Sequence, residues 1–173
     1  EDMTYSELRN IDAGVKFSSD FAGEKIPTLF EALMLAKNNA ANIKVVIELK
    51  SAKPTVPAKV VQLVQKLNLQ NRVIIAGFNL SQITLAKTAD PTIPVMLFKW
   101  QITNTDIDTL KIIGGEWVGS GSRFTQELIN YAHSKGIQFN VWTINDEPTM
   151  RLLKSLGLDA ITTNESNLMK IIN

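Results

Sequence analysis

The chain has no cysteine and a single histidine, His133, in 173 residues. Without cysteine there are no disulfides, no thiolate metal ligands and no cysteine nucleophile. His133 falls late in a helical stretch, just before Gly136, on the N-terminal side of the next strand. It reads as an exposed helix residue rather than a catalytic one. No apolar run approaches the roughly 18 residues that span a bilayer, nor do the first residues read as a secretory leader. Those residues, EDMTYSELRN, read like the middle of something, so the compartment stays open. A soluble domain is expected, with membrane helices or a signal peptide upstream both compatible. Net charge is only +1, with basic residues scattered. A nucleic-acid partner would want them clustered along a stripe, so none is expected. What is present is apolar: 45% hydrophobic residues over this length can bury the core of one domain, residues 1–173.

Pattern and punctuation give alternating elements. Thr4 with Glu7, and Thr28 with Glu31, have the spacing of capping boxes that open helices. Between these helices Gly14, Gly23 and Pro27 mark a loop. Strands are predicted at Val45–Lys50, Arg72–Phe78, Ile93–Phe98, Glu116–Gly119, Ile137–Asn145 and Leu158–Thr163. Helices are predicted over Val56–Leu67, Ser81–Ala89, Asp106–Ile112, Thr125–Lys135, Asp146–Leu156 and Glu165–Ile172. Strand followed by helix, repeated, means βαβ units and a parallel sheet. Alternation alone allows a doubly wound sheet or a (β/α)8 barrel. No Gly-rich phosphate loop follows the first strand, so the dinucleotide fold has no support. Polar residues gather at C-terminal strand ends, where a barrel carries its chemistry: Glu48, Lys50, Asn79, Lys99, Asn145, Thr162 and Asn164.

The stretch Val45 to Lys50 is the focus. Side chains alternate along a strand, so Val45, Ile47 and Leu49 share one face and Val46, Glu48 and Lys50 the other. A carboxylate and an ammonium therefore stand together at a strand end. Burying a charge is costly unless it is paired or holds a metal. Two readings remain: a salt bridge closing a barrel layer, or a metal ligand beside a phosphate-binding lysine. In the later strand Ile137, Phe139 and Val141 face the helices, while Asn140 and Trp142 face the interior. Trp142 is there either a core plug or an apolar wall with one N–H donor.

Five motifs occur in order along the chain: Asp12-Ala13-Gly14 with Ile26-Pro27-Thr28-Leu29, Ile47-Glu48-Leu49-Lys50, Val73 to Asn79, Ala132 to Asp146, and Leu156 to Ser166. Together they resemble the glycerophosphodiester phosphodiesterase family. The resemblance implies a TIM barrel, (β/α)8, of the phospholipase C-like phosphodiesterase type. It implies hydrolysis of a small-molecule glycerophosphodiester to glycerol 3-phosphate and an alcohol, with a divalent cation, Ca2+ or Mg2+. Glu48 matches the metal-ligating glutamate, and Lys50 the catalytic lysine that faces the phosphate. Phe78 and Trp142 match substrate-binding walls. Asn145 matches a strand-end asparagine that touches substrate or caps the following helix.

This chain departs from the pattern in places. Ala76 and Gly77 stand where the family usually has two serines, and Asn164 where it has an aspartate. The family's His-Arg-Gly and Glu-x-Asp strands, and a second histidine, have no counterpart upstream of Glu48. The chain is therefore expected to be the C-terminal three-quarters of the barrel, lacking its first two strands and inactive alone. Open barrel edges, or a missing N-terminal segment, would make it associate, and Val46, Ile75 and Val95 would be exposed to water. The rival reading is a non-catalytic, degenerate barrel that binds a phospho-ligand or serves in assembly.

Overall fold

The computed structural model describes residues 3–39, 41 and 43–172. Two compact units make up the chain, Glu1–Val45 and Val46–Asn173. The first holds helices α1 (Tyr5–Asn10) and α2 (Leu29–Lys37). Both predicted capping boxes form: Thr4 and Thr28 accept from the backbone of Glu7 and Glu31, whose carboxylates answer the cap N–H groups. The loop between the helices is organised by Asp12. Its carboxylate accepts from the N–H groups of Gly14, Val15 and Gly23 at 3.0, 2.9 and 2.7 Å. The Gly23 N–H is the main cause that holds this carboxyl below the usual range.

The second unit is built on a sheet. Its strands are β1 (Val45–Glu48), β2 (Val73–Gly77), β3 (Val95–Gln101), β4 (Trp117–Arg123), β5 (Gln138–Val141) and β6 (Ala160–Ile161), paired in that order. β2 to β6 pair in parallel. β1 joins through the Leu49 N–H, which donates to the Ala76 carbonyl at 2.7 Å. Helices α3 (Val56–Leu67), α4 (Leu80–Ala89), α5 (Asn104–Ile112), α6 (Gln126–Ser134), α7 (Glu147–Ser155) and α8 (Met169–Ile172) follow the strands in turn. Sequential order without a reversal is the topology of a barrel, not of a doubly wound sheet. The sheet curls, so residues from all six strands border one interior cavity of about 350 Å³.

Alternation sorts the two faces. Ile47, Leu49, Ile75, Val95, Leu97, Val118, Phe139 and Val141 are buried on the helix side. Ile74, Ala76 and Met96 form the interior layer, with Phe98 and Trp117 packed on it. Exposure of Ile75 and Val95 is thereby corrected, for both are fully buried. They stand one residue out of phase with the interior set, under the helices. Val46 is interior and 49% exposed, as expected.

Several boundaries move. β3 runs on to Gln101 and β4 to Arg123, beyond the predicted ends at Phe98 and Gly119. β5 ends at Val141, short of Asn145, and β6 covers only Ala160–Ile161. Helix α5 starts earlier than predicted because Thr103 and Asp106 form a third capping box.

Asp90 ties α3 to the turn before β3. Its carboxylate accepts from Thr92 Oγ1 at 2.6 Å, Thr92 N at 2.9 Å and Gln65 Nε2 at 2.8 Å. The Thr92 hydroxyl, then Gln65, draw its pKa below the ordinary value. A carboxyl with a lowered folded pKa stabilises fully above its unfolded value and loses that contribution as pH falls through the folded one. Acid unfolding should therefore set in below about pH 4 and be blunted in Asp90→Asn. Equal acid sensitivity of the two proteins in circular dichroism would contradict this.

Candidate active site

The C-terminal strand ends of the second unit surround a cleft of about 280 Å³ lined by Glu48, Lys50, Phe78, Phe98, Trp142, Thr143 and Thr162. Four of the five site residues expected from sequence thus meet in one place. Glu48 ends β1 on the interior face, with its side chain 32% exposed, and Lys50 follows two residues on, 80% exposed. Their charges stand 3.4 Å apart. The pair is open to solvent, so its attraction is screened and worth little as a staple. The salt-bridge reading accounts for the contact but not for the placement of both charges in a cleft.

The facing wall is aromatic. Trp142 packs against Phe78, Phe98 and Trp100 at centroid distances of 5.6, 6.2 and 4.7 Å. Phe78 meets Phe98 at 5.6 Å and Trp100 at 6.5 Å. Edge and tilted approaches of this kind suit the ring quadrupoles. The Trp142 indole N–H is buried and has no acceptor among the described residues. The ring itself lines the cleft, which makes Trp142 part of its wall.

Glycines make that wall fit. β3 and β4 pair Phe98 with Gly119, and a Cβ on Gly119 would overlap the Phe98 ring. A Cβ on Gly121 would meet the Trp100 carbonyl oxygen at 2.8 Å. The run Gly119-Ser120-Gly121 is thus a strand with two vacant seats on its inner face. Between them Ser120 is buried on the outer face. Deeper in the cavity, Asn140 donates through Nδ2 to Thr162 Oγ1 at 3.2 Å.

Other expectations resolve differently. Asn145 neither lines the cleft nor caps α7, whose N-cap is Asp146. Its Oδ1 accepts from Asn164 N at 2.8 Å and Thr163 Oγ1 at 3.2 Å, tying the loops after β5 and β6. Lys99 turns away from the mouth to pair with Asp106 at 3.3 Å. Asn79 caps α4 through the Ser81 N–H. His133 is more than an exposed helix residue, because its Nε2 lies 2.8 Å from Asp159 Oδ2. That same carboxylate oxygen accepts from Phe139 N. Asp159 precedes β6 and Phe139 lies near the start of β5, so His133 stands at the strand end opposite Lys50. Phe98 and Trp100, not foreseen as wall residues, carry a readable signal: with Met96 they alternate along one strand face.

A family model described as the glycerophosphoryl diester phosphodiesterase family matches residues 1–168. The chain belongs to that family. A glycerophosphodiester phosphodiesterase of Caldanaerobacter subterraneus is 27% identical over 169 residues, covering 95% of this chain and 69% of the relative. One from Bacillus altitudinis is 25% identical, with the same coverage of 95% and 69%. A crystal structure of a glycerophosphodiester phosphodiesterase from Parabacteroides distasonis superposes with TM-score 0.80 at 25% identity, over 98% of this chain and 70% of that one. An Oleispira antarctica phosphodiesterase, solved with its product sn-glycerol-3-phosphate, gives TM-score 0.79 at 22% identity, over 93% and 66%.

The family generally depends on a divalent metal. Among the described residues no three His, Cys, Asp or Glu side chains group to hold one. Among the described residues Glu48 is the only carboxylate lining the cleft, with the Lys50 ammonium beside it. A hard cation takes six or more oxygen ligands in its calcium sites, so these residues do not by themselves make a metal centre. Among the described residues no helix is long and apolar enough to cross a membrane.

The seating of Phe98 can be tested. Gly119→Ala should lower unfolding free energy by about 1–3 kcal/mol, the usual cost of overpacking. Urea unfolding at wild-type stability would show that the ring has free room to move.

Proposed function

We propose that this chain supplies the phosphate-facing lysine and the substrate wall of a glycerophosphodiester phosphodiesterase. The observation that carries the reading is the convergence of Glu48, Lys50, Phe78 and Trp142, from three separate strand ends, on one cleft. Lys50 brings a point charge to the phosphoryl oxygens. It neutralises charge that grows there as the phosphorus–oxygen bond to the alcohol breaks. Glu48, 3.4 Å away, orients that ammonium across the mouth. Phe78, Phe98 and Trp142 give the glycerol carbons an apolar face, and water supplies the oxygen that replaces the departing alcohol on phosphorus. Hydroxyls of Thr143 and Thr162 line the same cleft and can bond substrate oxygens.

A divalent cation, calcium or magnesium, would take one oxygen from Glu48 and would need its remaining ligands from outside the described residues. The products would be glycerol 3-phosphate and an alcohol. This rests on family membership and on relatives that carry that name. A degenerate barrel serving only in assembly gives no reason for a charged pair and an aromatic wall to meet in a cleft, and one that binds a phospho-ligand is separated from the enzyme by assaying the full-length protein for diester cleavage.

In the full-length protein, Lys50→Met should lower kcat by about 10²–10³, as when a donor to developing oxyanion charge is removed. An unchanged kcat would remove Lys50 from the mechanism. We also propose that the 173-residue chain alone self-associates. Among the described residues β1 and β6 end the sheet, and Val46 on β1 is an exposed apolar side chain. Unpaired apolar edges invite pairing. Light scattering should show dimers or larger species, and a stable monomer at high concentration would contradict it.

A further inference from the structure

Asn140 is a polar side chain set among apolar ones. Its neighbours on β5, Phe139 and Val141, are fully buried under the helices. Alternation therefore turns Asn140 to the interior, where it is 4% exposed. There it lines the cavity with Ile74, Met96 and Trp117, and it does not line the cleft at the mouth. A buried amide is costly unless it is hydrogen-bonded. Among the described residues its side chain bonds one partner, the hydroxyl of Thr162. Both ends of the amide reach that hydroxyl. Asn140 Nδ2 donates to Thr162 Oγ1 at 3.2 Å, and Oγ1 can instead donate to Asn140 Oδ1 at 3.3 Å. The Thr162 backbone is fixed as well. Its N–H donates to the Val141 carbonyl at 2.9 Å, and its carbonyl accepts from the Ile144 N–H at 3.0 Å. Glu48, Phe98 and Thr162 border both the cavity and the cleft, and only Thr162 among them brings a hydroxyl.

We propose that Asn140 is a positioning residue, which acts from the cavity by turning the Thr162 hydroxyl towards a phosphoryl oxygen in the cleft. The proposal rests on the phosphodiester reading of that cleft. Lys50 and Thr162 line the same space of about 280 Å³. A phosphoryl oxygen accepts hydrogen bonds, so Thr162 serves it only with its hydrogen pointing into the cleft. When Nδ2 donates to Oγ1, it occupies a lone pair there and leaves that hydrogen free. When the hydroxyl donates to Oδ1 instead, the hydrogen is turned away. Bound phosphate selects the first arrangement, and the fixed backbone of Thr162 keeps the hydroxyl within reach of both partners. The bond forms with substrate and transition state alike, so it belongs to KM rather than to kcat.

The test is a double-mutant cycle on diester hydrolysis by the full-length protein, with calorimetric titration of sn-glycerol 3-phosphate beside it. Thr162→Val keeps the shape and removes the hydroxyl. It should raise KM, and weaken glycerol 3-phosphate, by about tenfold, with kcat within about twofold. Thr162→Ser should recover most of that loss. Asn140→Leu keeps the volume and removes the amide. It should raise KM about three- to tenfold alone, but less than about twofold in the Thr162→Val background. Asn140→Ala takes its place in the cycle if the leucine variant does not fold. An unchanged KM in Thr162→Val would overturn the proposal. So would an Asn140 effect of equal size with and without the hydroxyl, because Asn140 would then serve the fold and not Thr162. If the unaltered protein neither cleaves diesters nor binds glycerol 3-phosphate, the phosphodiester reading itself fails and takes this one with it.

Discussion

Everything at the mouth depends on the two-residue alternation of parallel strands whose outer face is sealed by helices. Ile47 and Leu49 must go under the helices, and that forces Glu48 and Lys50 to the interior. The same rule sends Ile75 outward and leaves Phe78 to continue the interior row of Ile74 and Ala76. On β3 it places Met96, Phe98 and Trp100 one above another. Burial on the outer face thus fixes the phase, and the phase delivers charge and aromatic surface to the same end. A slip of one residue in any strand would exchange the two sets.

A second constraint is room. Large rings can line a narrow curled sheet only where the neighbouring strand is bare. Gly119 and Gly121 provide that beside Phe98 and Trp100. Gly77 reflects a similar closeness, since a Cβ there would stand 3.3 Å from the Leu49 carbonyl oxygen. The family's usual serine at Ala76 would add a hydroxyl to the interior floor, whereas a side chain at Gly77 would point to the helix side, towards Ile83. The backbone N–H of Asn164 donates to Asn145 Oδ1 and ties the loops beside the cleft, a bond that does not depend on the side chain at 164.

Much of this was legible in the residues. The βαβ order, both early capping boxes, and the meeting of Glu48, Lys50, Phe78 and Trp142 follow from local pattern and motif. What escaped was non-local. Gly119 reads as the end of a strand, yet the strand continues because its glycines answer rings on β3. Asn145 and Asp146 are both good cap formers, and only the Thr149 N–H, donated to Asp146, decides between them. His133 finds Asp159, distant in sequence, through the packing of α6 beside β5 and β6. Ile75 and Val95 lie one residue out of phase with Ala76 and Met96, and hydrophobicity alone does not tell which face of a strand buried on both sides they take.

The central claim is that Lys50 and Trp142 hold opposite sides of one glycerophosphate. Its most direct test is a crystal structure of the full-length protein soaked with sn-glycerol 3-phosphate. The account predicts the phosphate within hydrogen-bond reach of Lys50 Nζ and the glycerol carbons against the Trp142 ring. A phosphate bound elsewhere, with the Glu48–Lys50 pair undisturbed and the aromatic wall empty, would contradict it.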